Sequence, residues 1–332
     1  MGATLPFNGL VSGCHHVKNY YSERLTILIC GLGSIVFVGA LYLLVPKRVR
    51  QLDRDDPIQI QWRSLSTFLV CLGAYSVYPY FFCQNDIVDF KNDNAFSMLR
   101  ILLRPTNSVL GVLLHTIVLY TGPIVVRLTY LYKSTKQQRI NDGTSYLTQV
   151  YTKILKPTFA SFVRGPFISS QEERWKNIRN FIVAPSTEEI FFRGYMVPCL
   201  LSSGMSILKV TWVSPLFFGV AHVHHAIIRL SKGERLFTVL LITIFQFAYT
   251  TLFGSYASYA FIRTGSVVSV IISHSFCNWM GLPDLSFVKR RHYLYEYRIL
   301  LLLSYLAGIC GFVLFFYNSY LLPLPAILPK LI

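Results

Sequence analysis

The chain has 332 residues, of which 53% are hydrophobic and only 14% charged, and its mean hydropathy is +0.47. Soluble domains carry roughly 25% charged residues, and the apolar residues here gather in long blocks, which excludes an ordinary soluble domain and indicates a polytopic membrane protein. The net charge of +16 also suits nucleic acid, but basic loops flanking apolar spans are the usual mark of membrane topology, so the bilayer is the expected partner and nucleic acid is not.

In chain order, residues 1–24 form a polar tail expected to be lumenal, and the first apolar block follows Arg24, long enough to stay in the membrane as a signal anchor. About eight spans are predicted, at about 25–45, 66–84, 108–130, 177–203, 207–228, 236–261, 266–282 and 298–322. The seventh is the shortest and most polar, the kind of helix that sits inside a bundle, away from lipid. The fold class expected is therefore all-α, a polytopic membrane helical bundle around a cytosol-facing cavity. Its divisions are the tail, N-terminal transmembrane helices over 25–135, a cytosolic segment over 136–176, a helical core over 177–285, and a C-terminal helix and tail over 286–332.

The connections alternate in charge. Loops 46–65, 131–179, 229–235 and 283–298 hold 21 of the 31 Lys+Arg, and the opposite side holds eight. The positive-inside rule assigns the first set to the cytosol and both termini to the other side. Within the long loop, Leu147, Val150, Tyr151, Ile154 and Leu155 recur at helical spacing. They fit an amphipathic helix on the membrane surface or, equally, a soluble helix packed on a loop. The seven cysteines are scattered without a C-x-x-C pair, which suits buried thiols and not a disulfide framework or a zinc knuckle. His115, Arg127 and Gln246 occur singly in spans and are expected to be interhelical hydrogen bonders or, for Arg127, a snorkelling side chain.

Charged groups in hydrocarbon are costly and need partners or a role. Span four carries Pro185, Ser186, Thr187, Glu188, Glu189 and Arg193. A proline early in a helix is tolerated, and the two hydroxyls can serve freed backbone groups. Glu188 and Glu189 point about 100° apart on a helix. Glu189 and Arg193 are i,i+4 in the favoured ion-pair order, so Arg193 neutralises Glu189 and Glu188 is left facing other helices. Span five ends in Phe218, His222, His224 and His225, with Gly219 and Ala221 letting a neighbour approach. His224 and His225 lie near the interface and suit polar boundary residues. Span seven carries His274 and Asn278, again i,i+4, both able to donate to one point. Cys277 beside them lacks an oriented base and fits a buried thiol. Counted from the cytosolic span ends, Glu188, His222, His274 and Asn278 lie about 17, 9, 12 and 6 Å deep, one polar layer drawn from three helices.

Together these motifs, Glu188-Glu189-Ile190-Phe191-Phe192-Arg193, Phe218-Gly219-Val220-Ala221-His222 and His274-Ser275-Phe276-Cys277-Asn278, resemble those of the Rce1-type CAAX prenyl endopeptidases, within the CAAX-processing and bacteriocin-processing membrane proteases. The resemblance covers about 180–285. It implies eight transmembrane helices, the endoplasmic reticulum membrane, and farnesylated or geranylgeranylated CaaX-terminal substrates such as Ras-like GTPases, from which the last three residues are removed. It makes the chain an intramembrane glutamate protease with no cofactor. On this reading Glu188 is the general base on a water, assisted by His222, while His274 and Asn278 form the oxyanion hole. Glu189 and Arg193, with Phe192 and Phe218, support them. The rivals are a zinc-dependent membrane protease with Glu188, His222 and His274 as ligands, a proton-coupled transporter, and a scaffold without catalysis.

Overall fold

The computed structural model describes residues 22–82, 108–142 and 170–317; the tail, Cys14, Cys83 and the amphipathic stretch 147–155 lie outside them. All regular structure among the described residues is helical. In chain order it comprises α1 (Glu23–Leu43), α2 (Lys47–Arg50), α3 (Pro57–Phe82), α4 (Ser108–Leu119), α5 (Thr121–Asp142), α6 (Gln171–Ile178), α7 (Ala184–Glu189), α8 (Met196–Ser202), α9 (Ile207–Ala221), α10 (His224–Ser231), α11 (Leu236–Thr264), α12 (Val267–Met280) and α13 (Arg298–Tyr317). Serine caps mark several starts: Ser22, Ser206 and Ser266 each accept a backbone N–H three residues on, filling one of the donors a helix leaves open. Gly265 and Gly281 end α11 and α12 at φ +63° and +72°, conformations that a side chain disfavours.

Each of the eight expected spans meets helix at its place, but their lengths and continuity differ. Among the described residues four helices are long and apolar enough to cross a membrane, or five when α4 and α5, bent by 64°, are taken as one span. The other places are α3, which carries Arg63, the run Gln171–Ser202, and the short α12. Those are the helices with the polar groups, and polar segments are tolerated in a membrane where protein shields them. The apolar helices carry their leucines outward. Leu28, Ile35, Ile244, Leu252, Ile299 and Leu314 are all more than half exposed, as a surface solvated by lipid requires.

Span four is not one regular helix. The π-helical turns Arg179–Val183 and Ile190–Tyr195 bracket α7, and neighbouring helices take up the carbonyls such wide turns release. Pro185 has no N–H to offer Phe181, and the Phe181 carbonyl accepts from Ser275 Oγ at 2.8 Å instead. The Asn180 carbonyl accepts from Asn278 at 3.0 Å, and the Ile190 carbonyl from the Tyr75 hydroxyl at 3.3 Å. Thr187 Oγ donates to the Val183 carbonyl at 2.9 Å, the service expected of the hydroxyls there.

The core gathers around this segment. Phe37 of α1 stacks on Phe191 with ring centroids 4.8 Å apart, and Phe192 meets Phe218 of α9 edge-on at 5.2 Å. Helices α9 and α11 share the most extensive packing, drawn close by small residues and by a 2.8 Å hydrogen bond between the Ser214 and Ser258 hydroxyls. Of the expected buried thiols, Cys30, Cys71 and Cys199 are buried and Cys277 is partly so, while Cys310 is exposed on the outer face of α13. An apolar thiol suits lipid as well as a core. His115 bonds the Phe312 carbonyl at 2.8 Å, as an interhelical bridge. Arg127 caps the end of α12 through the Met280 carbonyl at 3.3 Å and lies 5.5 Å from the Trp279 ring centroid.

A Cβ at Gly254 of α11 would lie 2.8 Å from Pro215 Cβ and 2.9 Å from Arg193 Nη2, whereas at Gly73 it would meet nothing within 4 Å. Gly254→Ala is therefore expected to destabilise the bundle by about 1–3 kcal/mol, the cost of overpacking. Gly73→Ala is expected to stabilise it by about 0.5–1 kcal/mol. Thermal melts in detergent check both, and a stable Gly254→Ala protein would contradict the close helix approach.

Candidate functional site

The two adjacent glutamates of α7 have opposite environments. Glu189 is fully buried, and one of its oxygens accepts from Arg193 Nη1 at 3.2 Å and from His274 Nδ1 at 2.7 Å. The expected ion pair with Arg193 is present. The bond to His274 of α12 was not visible in the sequence, because no spacing rule relates residues on different helices. Arg193, 1% exposed, lies over the Phe218 ring at 4.5 Å. That adds a cation–π contact, favourable in a desolvated place, and ties the pair to α9. Phe253 of α11, also unanticipated, packs against the His274 ring at 4.9 Å.

Glu188 turns the other way, with its side chain 22% exposed. No hydrogen bond among the described residues holds it, and its nearest charged-group contact is His274 Nε2 at 3.9 Å, beyond direct hydrogen-bond range. It lines a cavity of about 130 Å³ together with Thr187, Phe192, Phe218 and His222. His224, His225 and three arginines, Arg54, Arg63 and Arg179, line the same cavity.

The fifth expected span, 207–228, is present as one apolar stretch over Ile207–Ser231, with a two-residue turn at His222 and Val223. α9 stops at Ala221, and α10 begins at His224. His222 Nδ1 is 2.7 Å from the Phe218 carbonyl, the oxygen its own backbone N–H would bond in a continuing helix. That N–H bonds Gly219 instead, at 3.1 Å. A carbonyl only accepts, so Nδ1 carries the proton, and the neutral ring keeps its lone pair on Nε2. The same logic fixes His274, where Nδ1 donates to the Glu189 carboxylate and Nε2 is left on the Glu188 side. His224 repeats the device with the Ala221 carbonyl at 2.6 Å.

Of the four residues expected to act together, the structure brings Glu188 and His222 to one cavity and His274 to Glu188's edge. Asn278 is exposed, with one amide N–H spent on the Asn180 carbonyl. Among the described residues no group of three or more His, Cys, Asp or Glu side chains is arranged to hold a metal ion, so Glu188, His222 and His274 do not converge as a zinc set.

Removing one partner of a buried pair strands the other charge at a cost of about 3–5 kcal/mol. Arg193→Leu is therefore expected to lower stability by that much in detergent melts, and combining it with Glu189→Leu to recover part of the loss. Equal stability of Arg193→Leu and the parent would show that the pair is not buried as described.

Residues 170–280, the segment carrying all three motifs, match the family model described as type II CAAX prenyl endopeptidase Rce1-like. The chain is 34% identical to CAAX prenyl protease 2 of Arabidopsis thaliana over 88% of each chain. It is 30% identical to the probable CAAX prenyl protease 2 of Schizosaccharomyces pombe over 76% of this chain and 79% of that one. It is 44% identical to CAAX prenyl protease 2 of Homo sapiens over 33% of each. No solved structure gave a significant match. With the apolar helices and this motif-bearing core, the chain belongs to the Rce1-like type II CAAX prenyl endopeptidases, a family of multi-pass membrane peptidases.

Proposed function

We propose that this peptidase removes the C-terminal tripeptide from farnesylated or geranylgeranylated CaaX proteins such as Ras-like GTPases, using a water activated by Glu188 and His222. The observation that carries this reading is the division between the two glutamates: Glu189 is locked in a buried network, while Glu188 is unbonded and lines a cavity with His222. A general base must reach its proton directly or through one water, and Glu188 keeps its oxygens free to do so. His222 offers a lone pair on Nε2, because Nδ1 is committed to the Phe218 carbonyl. The water attacks the carbonyl of the prenylated cysteine, and Glu188 or His222 returns the proton to the leaving amine.

His274, held through Nδ1 against Glu189, presents Nε2 on the Glu188 side and is assigned to the developing oxyanion. Asn278 retains a second amide N–H after bonding Asn180, and it is assigned to the same oxyanion. Phe37, Val38 and Leu41 line the cavity beside the polar groups. Apolar surface of this kind favours a prenyl chain by about 0.8 kcal/mol per buried CH₂.

The cavity lining also bears on orientation. Arg54, Arg179 and His225 come from or adjoin three connections, 46–65, 131–179 and 229–235, that the positive-inside rule independently assigns to the cytosol. This supports a cavity open to the cytosol in the endoplasmic reticulum membrane, with both termini lumenal.

The test is tripeptide release from a prenylated CaaX peptide by purified protein. Glu188→Gln, His222→Ala and His274→Ala are each expected to lose about 10²–10⁴-fold in rate. Asn278→Ala is expected to lose about 10²-fold, the effect of one oxyanion donor. Melts must first show each variant folded. Full release by folded Glu188→Gln would refute the assignment. Stoichiometric zinc whose removal abolishes cleavage would favour the metal reading instead, and reconstituted ion flux without any peptidase activity would favour a transporter.

A further inference from the structure

The cavity that holds Glu188 and His222 is lined by three arginines, more cationic charge than its one unbonded carboxylate can balance. Arg179 is accounted for. Its Nη1 lies 2.7 Å from Asp55 Oδ1, and Lys176 approaches the same carboxylate at 3.4 Å. The Arg179 hydrogen bond holds the Asp55 carboxyl below its usual pKa, as expected for a committed ion pair. Arg54 and Arg63 have no such partner: among the described residues neither makes an ion pair with any carboxylate, Glu188 included.

Arg63 is built into place. It stands on α3 with its guanidinium 5.7 Å from the Tyr42 ring centroid, and its Nε is buried without a hydrogen-bond partner. A buried donor left unsatisfied costs about 1–3 kcal/mol. Arg54 lies in the loop before α3, exposed at the cavity's edge. Partial desolvation and the nearby Arg179 and Arg63 charges disfavour its cation. Two guanidinium groups lining one cavity without a carboxylate partner among the described residues suit a planar, bidentate anion.

We infer that Arg54 and Arg63 bind the free α-carboxylate at the substrate's C-terminus, so that the peptidase measures its cut from the chain end. The inference rests on the proposed tripeptide release, and it explains why the released piece has a fixed length. Arg54, Arg63 and Glu188 line one cavity, and three extended residues span at most about 10 Å, the reach this site asks of the substrate between its carboxylate and the bond presented to Glu188. An internal peptide segment brings no charge to this place and leaves Arg63 Nε unsatisfied. The free chain end is thereby preferred over internal sequence.

The experiment compares one farnesylated CaaX peptide as the free acid and as the C-terminal amide. The enzymes are the full-length parent, Arg63→Gln, Arg63→Lys and Arg54→Gln, each reconstituted in phosphatidylcholine vesicles with and without phosphatidylserine. The parent is expected to prefer the acid by about 10–100-fold in kcat/KM, the worth of a charged hydrogen-bonded pair. Arg63→Gln should bring that ratio close to one, Arg63→Lys should restore part of it, and Arg54→Gln should lower it. Equal cleavage of acid and amide by the parent overturns the inference, whatever the folding of the variants. So does an arginine effect that follows phosphatidylserine and not the peptide terminus, which would assign the site to a lipid headgroup. A parent that cleaves neither peptide refutes the proposed function itself, and a parent that cleaves both alike refutes only the carboxylate site.

Discussion

A single buried carboxylate organises this bundle. Glu189 accepts from Arg193 within its own span and from His274 on α12, and Arg193 lies against Phe218 of α9. Three separate stretches of chain are thus oriented by one ion pair in a place that water does not reach. Such an arrangement contributes little net stability over a well-packed apolar equivalent, because desolvating the charges offsets their attraction. What it contributes is direction. His274 is fixed in its tautomer and ring orientation, and Phe218 is held where its carbonyl can fix His222.

The adjacency of Glu188 and Glu189 follows from the same requirement. Glu189 is dry and bonded through one oxygen, whereas the role proposed for Glu188 needs a carboxylate that is wet and unbonded. Neighbouring positions on α7 diverge by about 100°, so one turn can serve both needs. The flanking π-helical turns belong to this arrangement. They widen the helix on either side of the pair, and the carbonyls they release are taken by Ser275, Asn278 and Tyr75. Side chains of α12 and α3 therefore lock the glutamate segment from two directions.

Local rules carried the sequence reading as far as relations within one helix extend. The i,i+4 pairing of Glu189 with Arg193, the divergence of Glu188 and the close approach at Gly219, where a Cβ would meet Phe247 and Thr251 at 2.8 Å, were legible from spacing alone. Relations between helices were not. The Glu189–His274 bond joins residues 85 apart, and Arg54 and Arg63 reach the cavity from a stretch that no motif marks. The turn at His222 within that span was hidden for a different reason: hydropathy stays high through the run, and the turn is marked only by Nδ1 taking the Phe218 carbonyl. The expected pairing of His274 with Asn278 rested on i,i+4 spacing, but the π-helical turn presents the Asn180 carbonyl, which takes one of the Asn278 amide hydrogens.

The distribution of charge along the cavity extends this argument to the substrate. On the proposed function, the substrate brings an apolar anchor, a neutral peptide bond and an anionic terminus within about 10 Å of chain. The cavity lining has a candidate counterpart for each: the apolar side chains of α1, the Glu188–His222 pair, and the arginines of the loop before α3 and of α3 itself. Arg54 and Arg63 lack a carboxylate partner among the described residues, and an anionic chain end bound there, as proposed, would supply one to α3 and the helices packed on it.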